Sequence, residues 1–332
     1  MKRLPRTVLV PVLVCILALN GCYKVKKVQN EDGSEEVVAD RGEGATRGEI
    51  NIGVDESMVP VLKQEVSTFM MLYPEATLNP KVAQEATLVT DLLNDSLRLI
   101  LIGRELTARE NDHIQRSQIV PKATLVGRSA IALICHPDNP IDSLTEPQLR
   151  SILRGEIQNW SELGGEDLLV NVVYDHPLSG VVRYVQDRFL DQQDSLPRNA
   201  FTADSTEAVI NYVHQSPNAI GLVGFAWLAD RDSRRVKEYL NKVELVRMQA
   251  PKSSDMPGAW VRPFQAEIKM GRWPITRPIY AVSREHFSGL GTGFVVFLAG
   301  ERGQSVLLKA GLVPEFTPPR EVVLPAKNDD NS

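Results

Sequence analysis

Apolar and polar positions follow two different periods along the chain. Short stretches rich in apolar residues, typical of buried strands, are INIGV, RLILIG, NVVYD, NAIGLVGF, PITRPIYAVS and the longer TLVGRSAIALIC. Between them, apolar residues such as Leu62, Val66 and Phe69 recur three or four positions apart, which is the spacing of one helix face. Strands that alternate with helices in this way predict an α/β fold with a largely parallel sheet.

Two of the predicted helices start with recognisable capping residues. Thr145 is followed three positions later by Gln148, the pattern of a capping box, and Gly155 stands near the end of the same helix. Asp204 and Glu207 have the same spacing further along the chain. We therefore expect helices to begin just after Thr145 and just after Asp204.

The N-terminus has the pattern of a secretion signal. The basic MKRLPR precedes TVLVPVLVCILAL, an apolar run of about a dozen residues that is too short to cross a bilayer about 30 Å thick. The following Leu19-Asn20-Gly21-Cys22 resembles the bacterial lipobox. Residues 1–21 are thus predicted to be a lipoprotein signal peptide, and Cys22 is predicted to carry lipid in the cell envelope, facing the periplasm or the outside. The alternative is an ordinary signal peptide with an incidental cysteine.

Two segments lack the apolar residues needed to build a core. Residues 22–48 are charged and contain glycine, and we expect them to form a flexible tether between the lipid and the folded part. Residues 321–332 are predicted to be a disordered tail. The predicted folded part therefore starts at residue 49.

Composition narrows the class of protein. The 332 residues are 43% hydrophobic and 24% charged, with a net charge of −5, which is ordinary for a soluble globular protein. No basic stripe is present and aromatic residues are 6%, so a nucleic-acid partner is not expected. Of the cysteines, Cys15 lies in the signal and Cys22 in the lipobox, which leaves Cys135 as a predicted buried apolar residue without a disulfide.

Catalytic and metal-binding patterns are not found in the sequence. The five histidines have no metal-ligand spacing, and no cysteine pairs exist. Ser179 lacks a G-x-S-x-G frame, and the GLGTG at 289–293 lacks the lysine of a P-loop. We expect no enzymatic activity, no metal and no cofactor.

Several blocks resemble one known family in content and in order. NPIDSLTEPQLRSILRGEIQNWSELGG resembles the central signature of the phosphate-binding proteins of phosphate ABC importers. Further blocks that resemble this family are INIGVDESMVPVL, LILIGRELT, PLSGVVRYV and WPITRPIYAVS with GFVVFLAGERGQSVLLKAGLVP. The resemblance covers about residues 49–316.

The resemblance implies a type II periplasmic-binding-protein fold with two lobes. Lobe 1 would comprise residues 49–130 and 275–320, and lobe 2 residues 131–274, joined by hinge strands near SAIALIC and TRPIYAVS. The ligand, phosphate or a similar oxyanion, would bind between the lobes and pass to an ABC transporter permease. A monomer is expected.

The resemblance also implies which residues bind the ligand. The first helix start contributes Asp55, Ser57 and Met58, and the second contributes Ser179 and its neighbours Gly180 and Val181. Backbone N–H groups at helix starts hold oxyanions well. Asp55 either caps its helix or accepts the proton of hydrogen phosphate, which sulfate lacks.

At one position of the predicted site, the charge is opposite to that found in the family. Asp175 stands where the family has an arginine four residues before the serine. Arg104 and Arg183 are the candidates to replace that arginine, although Arg183 would equally suit a solvated helix face. Arg277 is predicted to form a salt bridge under the cleft, and Trp160 is predicted to pack.

A second function is compatible with the same fold. Met58 and Val181 replace threonines, and Asp175 replaces an arginine, so three donors of the family are missing. The alternative is a lipid-anchored surface protein that binds a different ligand or a protein partner.

Overall fold

The computed structural model describes residues 24–29, 35–40, 42–116, 118–191 and 196–317. The predicted signal peptide, Cys22 and the predicted tail lie outside these residues. Within the described part of the chain, no helix has the length and apolar character needed to cross a membrane.

Strands and helices alternate along the chain as the hydrophobic pattern predicts. The strands are β1 (Lys24–Gln29), β2 (Glu35–Asp40), β3 (Gly48–Asp55), β4 (Ala76–Ala83), β5 (Leu99–Ile102), β6 (Lys122–Cys135), β7 (Ser143–Leu144), β8 (Asn171–Tyr174), β9 (Ala200–Thr202), β10 (Ala219–Gly224), β11 (Glu244–Leu245), β12 (Arg247–Gln249), β13 (Trp260–Val261), β14 (Thr276–Ser283) and β15 (Val313–Pro314). The α-helices are α1 (Val59–Leu72), α2 (Glu85–Leu93), α3 (Ala108–Gln115), α4 (Glu146–Leu153), α5 (Gly180–Phe189), α6 (Thr206–Gln215), α7 (Arg234–Leu240), α8 (Gln265–Lys269), α9 (Leu290–Ala299) and α10 (Glu301–Lys309). Short 3₁₀ helices span Glu56–Met58, Trp160–Leu163 and Phe225–Trp227.

The segment predicted to be a tether contains secondary structure. Strands β1 and β2 pair antiparallel, with Lys24 opposite Asp40 and Gln29 opposite Glu35. They belong to one compact unit, and the rest of the fold forms a second unit that starts at Glu43. Glu43 is fixed because its Oε1 accepts hydrogen bonds from Arg98 Nη2 at 2.8 Å and from Leu290 N at 3.1 Å.

One continuous sheet runs through the second unit, in the order β4-β3-β5-β14-β6-β10-β8-β9. At one end β3 pairs parallel with β4 and β5, and at the other end β8 pairs parallel with β9 and β10. We call the first half lobe 1 and the second half lobe 2. The antiparallel pair β6 and β14 joins them. The predicted α/β fold with two parallel lobes and two hinge strands is confirmed.

Strand β6 passes from one lobe to the other. Its residues up to Ala130 pair with β14, and from Ile131 to Cys135 they pair with β10. All of the last seven residues are buried. Burial raises the pKa of Cys135 to about 12, so its thiol stays protonated and packs as an apolar side chain.

Helix α1 covers lobe 1 with the predicted apolar face. Leu62, Val66 and Phe69 are buried. The Phe69 ring packs edge-on against Phe294 and Phe297 of α9, with centroids 5.2 and 5.3 Å apart. The helix that follows β3 is therefore held rigidly, and its start has a defined position.

The predicted helix starts agree with the structure in one case and differ in the other. Thr145 and Gln148 form the predicted capping box, with Thr145 N donating to Gln148 Oε1 at 2.9 Å. The cap of α6 is Ser205 and not Asp204, because Ser205 has an extended backbone and its Oγ accepts from Ala208 N at 3.2 Å. The predicted start is thus wrong by one residue.

Candidate functional site

The site is formed where the carboxyl ends of the strands in the two lobes face each other. Asp55 ends β3, Glu85 begins α2, and Gly180 begins α5. A Cβ atom at Gly180 would lie 2.7 Å from Glu85 Oε2 and 2.9 Å from both Asp55 Oδ2 and Arg277 Nη1. Glycine is required here because any side chain would collide with the two carboxylates and the guanidinium group.

Asp55, Ser57 and Arg277 form a hydrogen-bonded chain on the lobe 1 side. Asp55 Oδ1 accepts from Ser57 N at 2.9 Å and from Ser57 Oγ at 2.7 Å. Arg277 Nη2 donates to Ser57 Oγ at 2.6 Å. The Ser57 hydroxyl proton, predicted to bind the ligand, is therefore donated to Asp55 in this structure.

Arg277 lies inside the site, although the sequence predicts a salt bridge beneath it. Its side chain is buried, and Nε and Nη1 have no hydrogen-bond partner among the described residues. Gly103 packs against it, since a Cβ at that position would be 3.3 Å from the guanidinium carbon. The absence of a side chain at Gly103 gives the guanidinium group its space.

Glu85 brings together the two arginines predicted to replace the missing family arginine. Its Oε1 accepts from Arg104 Nε at 2.9 Å and from Arg183 Nε at 2.5 Å. The sequence offered no reason to single out Glu85. It lies far from Asp55 along the chain, and the parallel pairing of β3 with β4 brings α2 beside the end of β3.

Asp175 orders the loop before α5. Its Oδ1 accepts from Ser179 Oγ at 2.5 Å and from His176 N at 2.9 Å, and Ser179 Oγ in turn accepts from Val182 N at 3.1 Å. Asp175 Oδ2 has no partner among the described residues. Ser179 therefore caps α5 and donates its proton to Asp175, instead of presenting it to the cleft.

Met58 and Val181 contribute packing with their side chains. Both are fully buried in the hydrophobic core. Any contact that they make with a ligand has to come from the backbone. In the first turn of α5, the N–H groups of Gly180 and Val181 have no partner within the helix.

The protonation of the carboxylates depends on their burial and on the arginines. Burial raises the pKa of Asp55, Arg277 opposes this increase, and Glu85 adds to it. Burial raises the pKa of Asp175 to about 7. Burial also opposes ionisation of Glu85, but Arg183, Arg104 and Arg277 outweigh it and lower the Glu85 pKa. Burial thus raises the pKa of Asp55 and of Asp175, whereas the arginines lower the pKa of Glu85.

Other parts of the described chain carry surface cavities. One of about 880 Å³ is lined by His214, Arg235 and Lys242 on lobe 2. Among the described residues, no group of three or more His, Cys, Asp or Glu side chains is arranged to hold a metal ion. The side chains of Asp55, Glu85 and Arg277 around Gly180 are buried.

The chain is similar to known proteins in sequence and in structure. A family model described as PBP superfamily domain matches residues 39–302. The chain is 24% identical over 315 residues to the phosphate-binding protein PstS of Bacillus subtilis, covering 94% of each chain. It is 22% identical over 275 residues to the phosphate-binding protein PstS of Borreliella burgdorferi, covering 80% of this chain and 89% of that one.

Solved structures have the same fold. A Clostridium perfringens protein, described as a phosphate ABC transporter substrate-binding protein with bound phosphate, is similar with a TM-score of 0.68 at 23% identity. The match covers 80% of this chain and 99% of that one. An ABC-type phosphate transport receptor from Vibrio cholerae has a TM-score of 0.60 at 19% identity, covering 80% and 100% of the two chains.

Proposed function

The chain belongs to the PBP superfamily, and from that premise we propose that it is a membrane-anchored substrate-binding lipoprotein of an ABC importer. It captures phosphate, or a similar oxyanion, between its two lobes and delivers it to the permease. The relatives named phosphate-binding proteins support this assignment, since they match the chain over most of its length.

The observation that carries the proposal is the position of Arg277. Its guanidinium group is buried at the start of α5, with Nε and Nη1 unpartnered among the described residues. A guanidinium group and the first N–H groups of a helix together favour an oxyanion. In the proposed complex Arg277 supplies a positive charge, and Gly180 and Val181 donate backbone N–H groups. Arg104 and Arg183, which here pair with Glu85, lie next to this place.

Asp55 would give the site its selectivity. Its Oδ2 is buried, lacks a partner among the described residues and points to the same place as Arg277 Nη1. A carboxylate oxygen accepts the proton of hydrogen phosphate but repels sulfate, which has no proton to donate at neutral pH. Phosphate would therefore bind and sulfate would not.

Calorimetric titration of the purified protein with phosphate, sulfate, molybdate and a phosphonate tests this function. We expect one exothermic site for phosphate and no measurable heat with sulfate. The absence of heat with any of these anions would contradict the proposal. The heat with the phosphonate shows whether the site tolerates an organic substituent.

The lipid anchor rests on the sequence alone, because Cys22 lies outside the described residues. Cells grown with a labelled fatty acid should incorporate the label into the wild-type protein. The Cys22→Ser variant should lose the label and retain its signal peptide. The Cys15→Ser variant is the control, since that residue lies in the predicted signal, and it should be labelled normally.

The acidity of the site favours a second candidate function, which is the binding of a ligand other than phosphate, or of a protein partner, on the same scaffold. Three buried carboxylates offset the three guanidinium groups in this region. The carboxylates are Asp55, Glu85 and Asp175, and the guanidinium groups belong to Arg104, Arg183 and Arg277. A site of this charge disfavours a dianion unless protons accompany it. The absence of heat with all four anions would support this candidate.

A further inference from the structure

We propose that Glu85 is a tethered competitor of the ligand: its carboxylate occupies Arg104 and Arg183, and a bound anion has to displace it. This inference rests on the proposed function and makes Glu85 the residue that sets affinity. It also gives the carboxylate a role in joining the lobes.

The contacts of Glu85 are those that an oxyanion would make. One oxygen, Oε1, accepts hydrogen bonds from the guanidinium groups of both Arg104 and Arg183. The other, Oε2, is buried without a partner among the described residues and lies beside Gly180 at the start of α5. The carboxylate therefore stands between two cations and a helix N-terminus, which together favour a negative charge.

The same carboxylate connects the two lobes. Glu85 and Arg104 follow β4 and β5 of lobe 1, whereas Arg183 is in α5 of lobe 2. Next to this contact, Ala86 N donates to the carbonyl oxygen of Leu178, which precedes α5, at 3.3 Å. Displacement of Glu85 thus replaces one bridge between the lobes by another, formed by the ligand.

Two other carboxylates contact the same arginines but have a different environment. Glu110 pairs with Arg104 at 2.7 Å within lobe 1, and Asp187 pairs with Arg183 within α5. Their side chains are 19% and 49% exposed, compared with 2% for Glu85. They keep their arginines in place from the solvent side, so they are matched controls for the buried carboxylate.

The Glu85 carboxylate and the anionic ligand compete because both carry a negative charge. A second anion placed beside a buried, ionised Glu85 would be repelled, because the surroundings screen the two charges weakly. The apparent dissociation constant is raised by the inverse of the fraction of molecules in which the arginines are free. If Glu85 holds them nine-tenths of the time, its removal tightens binding about tenfold.

The experiment titrates phosphate into the wild-type protein and into the Glu85→Gln, Glu110→Gln and Asp187→Asn variants. Glutamine keeps the shape of the side chain and removes the charge. We expect Glu85→Gln to bind phosphate about tenfold more tightly or better, and the two control variants to stay within about threefold of wild type. A residue with a merely structural role would lose affinity when changed, so an increase shows that the charge of Glu85 opposes the ligand.

Small-angle scattering in the absence of added anions supplies an independent measurement. Loss of the Glu85 bridge should increase the radius of gyration of Glu85→Gln, and phosphate should reverse the increase. Neither change is expected for Glu110→Gln or Asp187→Asn.

The possible outcomes separate the two proposals. Binding by wild type with unchanged or weaker binding by Glu85→Gln overturns the competitor role and leaves the proposed function standing. Binding by Glu85→Gln alone supports the competitor role. If no variant binds phosphate, the proposed function fails and the competitor role fails with it.

Discussion

The carboxylate of Glu56 in lobe 1 caps the helix that begins at Thr206 in lobe 2. Glu56 Oε1 accepts from Thr206 N at 3.1 Å, and Oε2 accepts from Thr206 Oγ1 at 2.8 Å. The backbone of Glu56 is held as well, because Trp227 Nε1 donates to its carbonyl oxygen at 3.0 Å. A negative charge at a helix N-terminus is favourable, so this contact stabilises the approach of the two lobes.

Replacing Glu56 by alanine should therefore weaken the fold. The change leaves the buried N–H and hydroxyl of Thr206 without their acceptor, and we expect a loss of about 1–3 kcal/mol in the free energy of unfolding. Urea denaturation measures it. Glu207→Ala is the control in the first turn of the same helix, where an exposed ion pair with Arg235 should be worth less than about 1 kcal/mol. Equal losses in the two variants would contradict a specific role for the cap.

Gly180→Ala should prevent the lobes from closing fully. The added Cβ would lie 2.7 Å from Glu85 Oε2 and 2.9 Å from Arg277 Nη1, so these buried groups have to move. We expect weaker phosphate binding and a loss of about 1–3 kcal/mol in the free energy of unfolding. Gly44→Ala is the control, because the nearest side-chain atom there is at an ordinary contact distance of 3.5 Å. Unchanged phosphate affinity in Gly180→Ala would show that the close approach at α5 is unimportant for binding.

The sequence predicted the strands best where nearly all of their residues are buried. Strands β5 and β10 are buried along their whole length, and their apolar runs predicted them. Strand β4 was not predicted, because it lies at the edge of the sheet, is largely exposed and contains Pro80. Edge strands tolerate proline and polar residues, so their sequence carries little signal.

The sequence located the two helix starts that form the candidate site. Ser57 and Ser179 stand at these starts, and the structure brings Asp55, beside Ser57, close to Gly180. The sequence did not indicate that both serine hydroxyls donate to neighbouring aspartates. Glu85 joins the site through strand pairing, which no local pattern reveals. Long-range pairing, and not local propensity, determines these contacts.

Replacing Arg277 by glutamine should destabilise the protein more at high pH than at low pH. The guanidinium group lowers the pKa of both Asp55 and Glu85. Without it, these buried carboxylates have to bind protons to remain buried, which becomes harder as the pH rises. We expect a loss of roughly 3–5 kcal/mol at neutral pH, measured by urea denaturation, and a smaller loss near pH 5.

Arg128→Gln is the control for this change. Arg128 lies on the neighbouring strand β6, opposite Pro278, and makes a more exposed ion pair with Glu315 at 3.6 Å. The free energy of unfolding of Arg128→Gln should be lower than that of wild type by less than about 1 kcal/mol at both pH values. A loss in Arg277→Gln that does not depend on pH would indicate that packing, and not charge, is its main contribution.

Asp175 should make the stability of the protein fall as the pH rises from about 4 to 7. Its pKa is raised from 3.8 to about 7, chiefly by burial, so between these values the folded chain holds a proton that the unfolded chain has released. Folding is then disfavoured by about 1.4 kcal/mol per pH unit from this group. Below the lower pKa both states are protonated and above the upper pKa both are ionised, so the slope vanishes outside this window.

Asp175→Asn removes this dependence while keeping an oxygen that accepts from Ser179. Urea denaturation of both proteins at intervals between pH 4 and pH 8 should therefore show the variant gaining stability relative to wild type up to about pH 7 and then levelling off. A part of the stability difference that is the same at every pH reflects packing of the amide. The part that changes with pH reports the proton bound by Asp175. Asp204→Asn is the control, at an exposed position near the start of α6. Its free energy of unfolding should change with pH in the same way as that of wild type. A difference between Asp175→Asn and wild type that is the same at every pH would mean that Asp175 is ionised in the folded protein throughout. In that case the site carries one more negative charge at neutral pH, and phosphate capture would depend more strongly on Arg277.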